Sequence, residues 1–239
     1  MTLWGDVLDA VFPERCVGCD AVLAQPEAFF CEVCGPEVEE IPSPGCERCH
    51  EPGLHAGGCC ERCRRRPPKF KLAFAPLEHS GAVARAIQRF KYEGHPELAR
   101  PLGSMLVARA KAFLAQAPRL VVPLPLHAAR YRERGYDQTA LLAVAVARSA
   151  GLELRDEALT RVRPTSRQVG QSDEERAANV AGAFAATAKV KGARLLLVDD
   201  VLTTGATANE AARALLDAGA LEVQVLTLAR AVRESQPGR

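Results

Sequence analysis

Residues 195–210 read LLLVDDVLTTGATANE, and this stretch decides the fold. Leu195, Leu196, Leu197 and Val198 form a short unbroken apolar run, the pattern of a strand covered on both faces of a parallel sheet. Asp199 and Asp200 follow at its C-terminal end, the edge at which open α/β sheets hold their ligands. Thr203, Thr204, Gly205, Ala206 and Thr207 make a small hydroxyl-rich turn. Ala208, Ala211, Ala212, Leu215 and Leu216 then continue as a helix that stops near Gly219. Free N–H groups at a helix start, beside threonine hydroxyls, cradle a phosphate dianion. Gly205 lets the backbone approach that ligand without a Cβ in the way. Two carboxylates one loop away accept hydrogen bonds from neighbouring sugar hydroxyls. Adjacent strand residues face opposite ways, so both acids reach one ligand only if the strand ends at about Asp199. The expected ligand is a sugar phosphate. Neither G-x-x-x-x-G-K-[ST] nor G-x-G-x-x-G occurs, which excludes P-loop ATP chemistry.

The order of apolar run, two acids and T-T-G-x-T resembles the signature of type I phosphoribosyltransferases. The resemblance implies binding of phosphoribosyl pyrophosphate (PRPP), with Asp199 and Asp200 on the ribose hydroxyls and Thr203, Thr204, Gly205, Ala206 and Thr207 around the 5′-phosphate.

Working outward, Leu120 to Leu124 is a second buried-strand candidate, followed by PLPLHAARYRERGYDQT at 123–139. Strand, loop with Arg130, Arg132, Arg134 and Gly135, then a helix from about Gln138 to Arg148: this is a second anion site by the same physics. In type I enzymes the loop after the first core strand holds pyrophosphate. Arg134 is the best single candidate for that contact, with Gly135 giving close backbone approach; a solvated arginine turn is the alternative reading. Residues 163–184, RPTSRQVGQSDEERAANVAGAF, are polar, and Ser172 with Glu175 forms a capping box. The resemblance places here the flexible loop that closes over substrate, and Arg161, Gln168, Arg176 and Asn179 are its candidate residues.

All nine cysteines precede residue 64. Cys16-x-x-Cys19 and Cys31-x-x-Cys34 form one pair of knuckles, and Cys46-x-x-Cys49 and Cys60-x-x-Cys63 another. Two such pairs close a tetrahedral Zn²⁺ site with no open position for water, so the zinc is structural. Sequential and interleaved pairings both fit the spacing; Cys59 competes with Cys60, and His50 and His55 are reserve ligands. The basic run of Arg62, Arg64, Arg65, Arg66, Lys69 and Lys71, with Phe70 inside it, is either a solvated linker or a contact for single-stranded nucleic acid.

Pro67-Pro68 marks a boundary between a zinc module at 1–68 and an α/β domain at 69–239. Before it, Leu3, Trp4, Val7, Leu8, Val11 and Phe12 recur at helical spacing. After it come an edge strand at 72–77 and a helix from Ser80 with Val83, Ile87 and Phe90 on its apolar face and Arg85, Arg89 and Lys91 off it. A helical stretch broken at Pro101 follows, then strands at 159–163, 184–189 and 223–228. Residues 1–13 carry Asp6 and Asp9 and no basic region, unlike a signal peptide, and the longest apolar stretch, 140–147, is far short of the roughly 20 residues of a membrane span. The chain is expected to be cytoplasmic.

Paired knuckles, PLPLHxxRxxxRGYDQ, RxRPTxxQxGQSxxERxxNVxGAF and LLVDDVLTTGAT occur here in one linear order. Together they resemble the competence protein ComF family, across nearly the whole chain. The resemblance implies a parallel-sheet type I phosphoribosyltransferase domain preceded by a small Cys-rich zinc-binding domain. It also implies PRPP as ligand with Mg²⁺, and a role in natural transformation with single-stranded DNA and competence-machinery proteins as partners. A PRPP-dependent transferase acting on a small nucleobase-like or other metabolic acceptor is the alternative.

Overall fold

The apolar run at 195–198 lies at the centre of a parallel sheet. The computed structural model describes residues 14–25, 27–165 and 173–232. The expected N-terminal helix, Gln168 and Ser172 lie outside the described residues. Apart from short 3₁₀ turns, the first elements are α1 (Glu61–Arg65), β1 (Ala73–Phe74), β2 (Leu77–Glu78), α2 (Gly81–Tyr92), α3 (Ala99–Arg109), α4 (Lys111–Leu114), β3 (Leu120–Pro123) and α5 (Ala128–Arg134). They are followed by α6 (Gln138–Ala150), β4 (Glu153–Leu154), β5 (Leu159–Arg161), α7 (Asp173–Val180), β6 (Phe184–Ala186), β7 (Arg194–Leu202), α8 (Ala206–Asp217) and β8 (Glu222–Arg230).

The sheet order is β1-β8-β7-β3-β4, with β2 also pairing β8, and every pair is parallel. Leu195 and Leu197 pack with Val223 and Val225 against Ala208, Ala211 and Leu215 of α8. Leu196 and Val198, pointing the other way, pack with Leu226 and Leu228 against α2, α3 and α6. Both faces are therefore covered, which is why the strand carries no alternating polar residues.

Two expectations need correction, and one residue sits where its helix face does not announce it. Strand β6 does not join the main sheet: it pairs antiparallel with β5 as a separate two-stranded flap, so 159–186 is an excursion from the α/β alternation. Pro101 does not break α3, because it sits in the first turn, where a missing N–H leaves no helical hydrogen bond unmade. Arg89, though off the apolar face of α2, does not face solvent. It is buried, donating to Cys16 O at 3.2 Å and Val17 O at 2.9 Å and pairing with Asp20 at 2.7 Å, which binds α2 to the first cysteine cluster.

Helices α3 and α6 cross so closely that a Cβ on Gly103 would lie 2.4 Å from the Cβ of Ala145. Alanine in a helix interior ordinarily gains about 1 kcal/mol over glycine. Here overpacking dominates, and Gly103→Ala is expected to lower stability by about 1–3 kcal/mol in urea unfolding. A stabilised variant would refute the close crossing.

Candidate functional site

Strand β3 ends at Pro123, whereas its neighbour β7 runs on to Leu202. The ladder between them stops at Pro123↔Val198, with one further bond from Leu124 N to Val198 O at 2.9 Å. Beyond that point β7 has an open side, and Asp199 and Asp200 both border the resulting cavity of about 410 Å³. The strand does not end at Asp199 as expected; the neighbour ends first, and that brings both acids to one cavity. The opening lies between β3, whose chain leads on to β4, and β7, whose chain leads to β8. This is the switch point at which α/β sheets bind ligands.

Asp200 is held from both sides. Lys91 Nζ lies 2.7 Å from its Oδ1, and Gln138 Nε2 donates to its Oδ2 at 3.1 Å. Burial alone would raise the Asp200 carboxyl, but Lys91, helped by Gln138, overrides it and holds the group below its ordinary value. Lys91 is itself raised, its desolvation outweighed by Asp200. Among the described residues, Asp199 has no such cation in contact. Burial, and then the charge of Asp200, push it up to about 8. One Asp199 oxygen accepts the Asp200 N–H at 2.8 Å, and no described hydrogen bond engages the other. The twin acids therefore differ: Asp200 is paired internally with Lys91 and held low, while Asp199 is held high and faces the cavity.

The other walls are cationic. Arg130, Arg134 and Arg161 line the cavity with Lys91, four positive side chains against two acids. Arg134 donates to Gln138 Oε1 and lies 4.9 Å over the Tyr92 ring, so the chain Arg134–Gln138–Asp200–Lys91 is continuous. Asp137 caps α6 through Thr139 N and Ala140 N, both at 2.9 Å, and also accepts Leu126 N at 2.9 Å, which fixes the arginine loop to the helix start. Arg161 leaves β5 with its guanidinium 5.4 Å over the Phe184 ring. Arg176 and Asn179 lie on α7, outside the lining, and Asn179 O accepts from Arg163 at 2.9 Å.

Of the expected phosphate turn, Thr207 lines this cavity. Thr204, Gly205 and Ala206 border a second one, about 530 Å³, shared with the second cysteine cluster, and Thr203 is exposed to solvent and lines neither. Gly205 has φ +81°, with the Phe70 ring 3.7 Å from where a Cβ would sit, so the left-handed turn and not crowding requires glycine there. Gly135, at φ +82°, caps α5 and does not line the cavity; its role is conformational. The basic run also divides. Phe70 is only 2% exposed and cannot stack on a base, while Arg62, Arg65, Arg66 and Lys71 pair with Glu51, Glu61, Glu174 and Glu222.

The cysteines pair sequentially: the thiols of Cys16, Cys19, Cys31 and Cys34 all lie within 4.8 Å of one another, as do those of Cys46, Cys49, Cys60 and Cys63. Sulfur separations of 3.6 Å for Cys19–Cys31 and Cys49–Cys60 match the edge of a tetrahedron with Zn–S bonds of about 2.3 Å. Both clusters fit structural zinc. Cys59 lies outside the second cluster, and His50 and His55 bond instead to Ala75 O and Glu51 O, each at 3.0 Å.

Residues 7–64 match the family model "double zinc ribbon domain" and residues 138–237 match "phosphoribosyl transferase domain". The DNA utilization protein YhgH of Salmonella typhimurium is 32% identical over 223 residues, covering 91% of this chain and 97% of that protein. Competence protein F of Haemophilus influenzae is 30% identical over 227 residues, covering 92% and 98%. The chain belongs to the ComF family. A more distant ComF relative, competence protein ComFC of Bacillus subtilis, is 27% identical over 217 residues, covering 87% of each chain. Among the described residues no helix is long and apolar enough to cross a membrane. Two residues that sequence reading did not place in the site of this ComF chain are Lys91 and Tyr92. Lys91 follows the last apolar residue of its helix stripe, Phe90, just before Gly94, which marks a helix C-terminus but not a partner 109 positions on.

Proposed function

We propose that the cavity binds PRPP and that the chain acts, as a ComF-like protein of the cytoplasm, in uptake and handling of single-stranded DNA during natural transformation. The observation that carries the ligand is the charge arrangement: four cations and a split pair of acids in one cavity beside a threonine-lined helix start. Arg134 and Arg130 would meet the pyrophosphate, Asp199 the ribose hydroxyls, and the turn at 203–207, through Thr207 at the cavity wall, the 5′-phosphate. Mg²⁺ fits through the Asp199 oxygen that no described hydrogen bond engages, and it would offset pyrophosphate charge when bound. The names of the relatives support the DNA part of the reading, and competence-machinery proteins are the partners it implies.

The exposed mouth beside the acids also supports a second reading, transfer of the phosphoribosyl group to a nucleobase-like or other metabolic acceptor. Arg134 would then stabilise departing pyrophosphate, and an ionised Asp199 the positive charge developing on the ribose.

Calorimetry of the full chain with PRPP and Mg²⁺ tests the ligand. Saturable heat is expected with PRPP and much weaker binding with ribose 5-phosphate. Arg134→Ala is expected to weaken PRPP about 10- to 100-fold, the value of charged hydrogen bonds. Equal affinities for the two sugars, or an unaffected variant, would remove the pyrophosphate from the reading.

A further inference from the structure

The zinc-side basic run has lost both features that made it a strand contact. Its aromatic ring is buried, and four of its six cations are matched by carboxylates. Those features reappear elsewhere. Among the described residues, no phenylalanine, tyrosine or tryptophan is as exposed as Tyr92, at 65%, and Tyr131, at 52%. Both belong to elements that frame the 410 Å³ cavity: Tyr92 ends α2 and lines it, and Tyr131 sits on α5 between Arg130, which lines it, and the exposed Arg132. Arg134 lies over the Tyr92 ring at 4.9 Å, so that ring is already held as one layer of a stack.

Two exposed rings beside three arginines make a surface for planar groups strung on a polyanion. The only carboxylate on α5 is Glu133, 3.6 Å from Arg130, so the helix keeps a net positive charge. We propose that single-stranded DNA docks on this rim, with bases stacked on Tyr92 and Tyr131 and phosphates met by Arg130 and Arg132. This rests on the DNA-handling reading above and moves its contact surface from the zinc ribbon to the mouth of the PRPP cavity. The two ligands then share Arg134: pyrophosphate drawn to it withdraws both charge and stacking support from the rim, so PRPP weakens strand binding.

The test is fluorescence anisotropy of a labelled oligothymidylate with the full-length, zinc-loaded chain at fixed salt. Tyr92→Ala and Tyr131→Ala are each expected to raise Kd about tenfold, the effect of losing one stacked base, while Tyr131→Phe binds as wild type. Tyr131→Ala should leave the PRPP heat unchanged, which shows that its fold is intact. PRPP should raise the DNA Kd of the wild type several-fold. If both tyrosine variants bind as wild type while Arg64→Ala with Lys69→Ala weakens binding, the strand lies on the ribbon and the rim is wrong. DNA affinity unmoved by PRPP overturns the shared arginine. A wild type that binds PRPP but no oligonucleotide defeats the DNA reading itself, and the rim with it.

Discussion

Replacing Lys91 by methionine is expected to lower the free energy of unfolding by about 3–5 kcal/mol at neutral pH. The pair it breaks is short, 2.7 Å, and shielded, with side-chain exposures of 18% and 6%. Methionine keeps the volume but leaves the Asp200 carboxylate desolvated beside Asp199, with Gln138 as its remaining described side-chain partner. Lys91→Met with Asp200→Asn removes both charges and is expected to recover much of the loss. The pH dependence separates this from a packing defect. In the wild type, Asp200 titrates below its unfolded value, so its stabilisation is present above about pH 4 and is lost as pH falls through the folded value. Without Lys91, burial raises the group, the sign reverses, and the variant loses stability as pH rises from about 4. Asp199 already behaves this way. Raised to about 8, it contributes most below the unfolded value and costs stability as pH climbs to 8, because the unfolded carboxyl releases its proton first. Asp199→Asn should flatten that slope and raise stability near pH 8. Urea titrations at pH 5 and 8 decide it; equal losses for single and double variants would leave the ion pair without a role.

How much of this was legible follows from the range of each interaction. The stretch at 195–210 announces its strand, turn and helix because all three are local: an unbroken apolar run, a glycine at positive φ, and a helical apolar stripe. Cys-x-x-Cys spacing likewise specifies its own knuckle, though sequential pairing appears only once the ribbons are folded. Lys91 and Asp200 come from different layers, and no periodicity links them. Nor does composition separate Phe70 on a basic run from Phe70 wedged against the Gly205 turn, since burial depends on what the fold brings over it. Strand β6 read as a sheet strand for a similar reason: Phe184, Ala185 and Ala186 suit a pleated surface, and only pairing tells which sheet takes them.

The second zinc should matter more than the first. Cys46, Cys49, Cys60 and Cys63 are all buried in the core that holds Phe70, Ala73 and Leu202, and Arg230, at the end of β8, donates to Cys49 O at 2.7 Å and pairs with Glu51. Losing that ion would put thiolates into the core without their counter-charge and detach the edge on which the turn at 203–207 rests. The first cluster is more accessible, with Cys19 exposed and Cys31 half-buried. Its link to the rest of the chain is α2: Arg85 donates to Cys34 Sγ at 3.4 Å, Arg89 grips the carbonyls of Cys16 and Val17, and Lys91 lies at the far end of the same helix. Structural zinc in small peptides contributes about 10–16 kcal/mol of folding free energy, so each loss is large compared with the stability of a domain. Cys49→Ser is therefore expected to abolish cooperative thermal unfolding or lower Tm by roughly 15 °C or more. Cys19→Ser should leave a folded sheet with a smaller fall in Tm, yet weaken PRPP because the helix carrying Lys91 loses its anchor. Metal analysis should find two zinc ions per chain in the wild type and one in Cys19→Ser, with chelators taking the first ion before any unfolding. If Cys19→Ser binds PRPP as tightly as wild type, α2 holds Lys91 in place without help from the ribbon. If the two variants melt alike, the shared core does not distinguish the clusters.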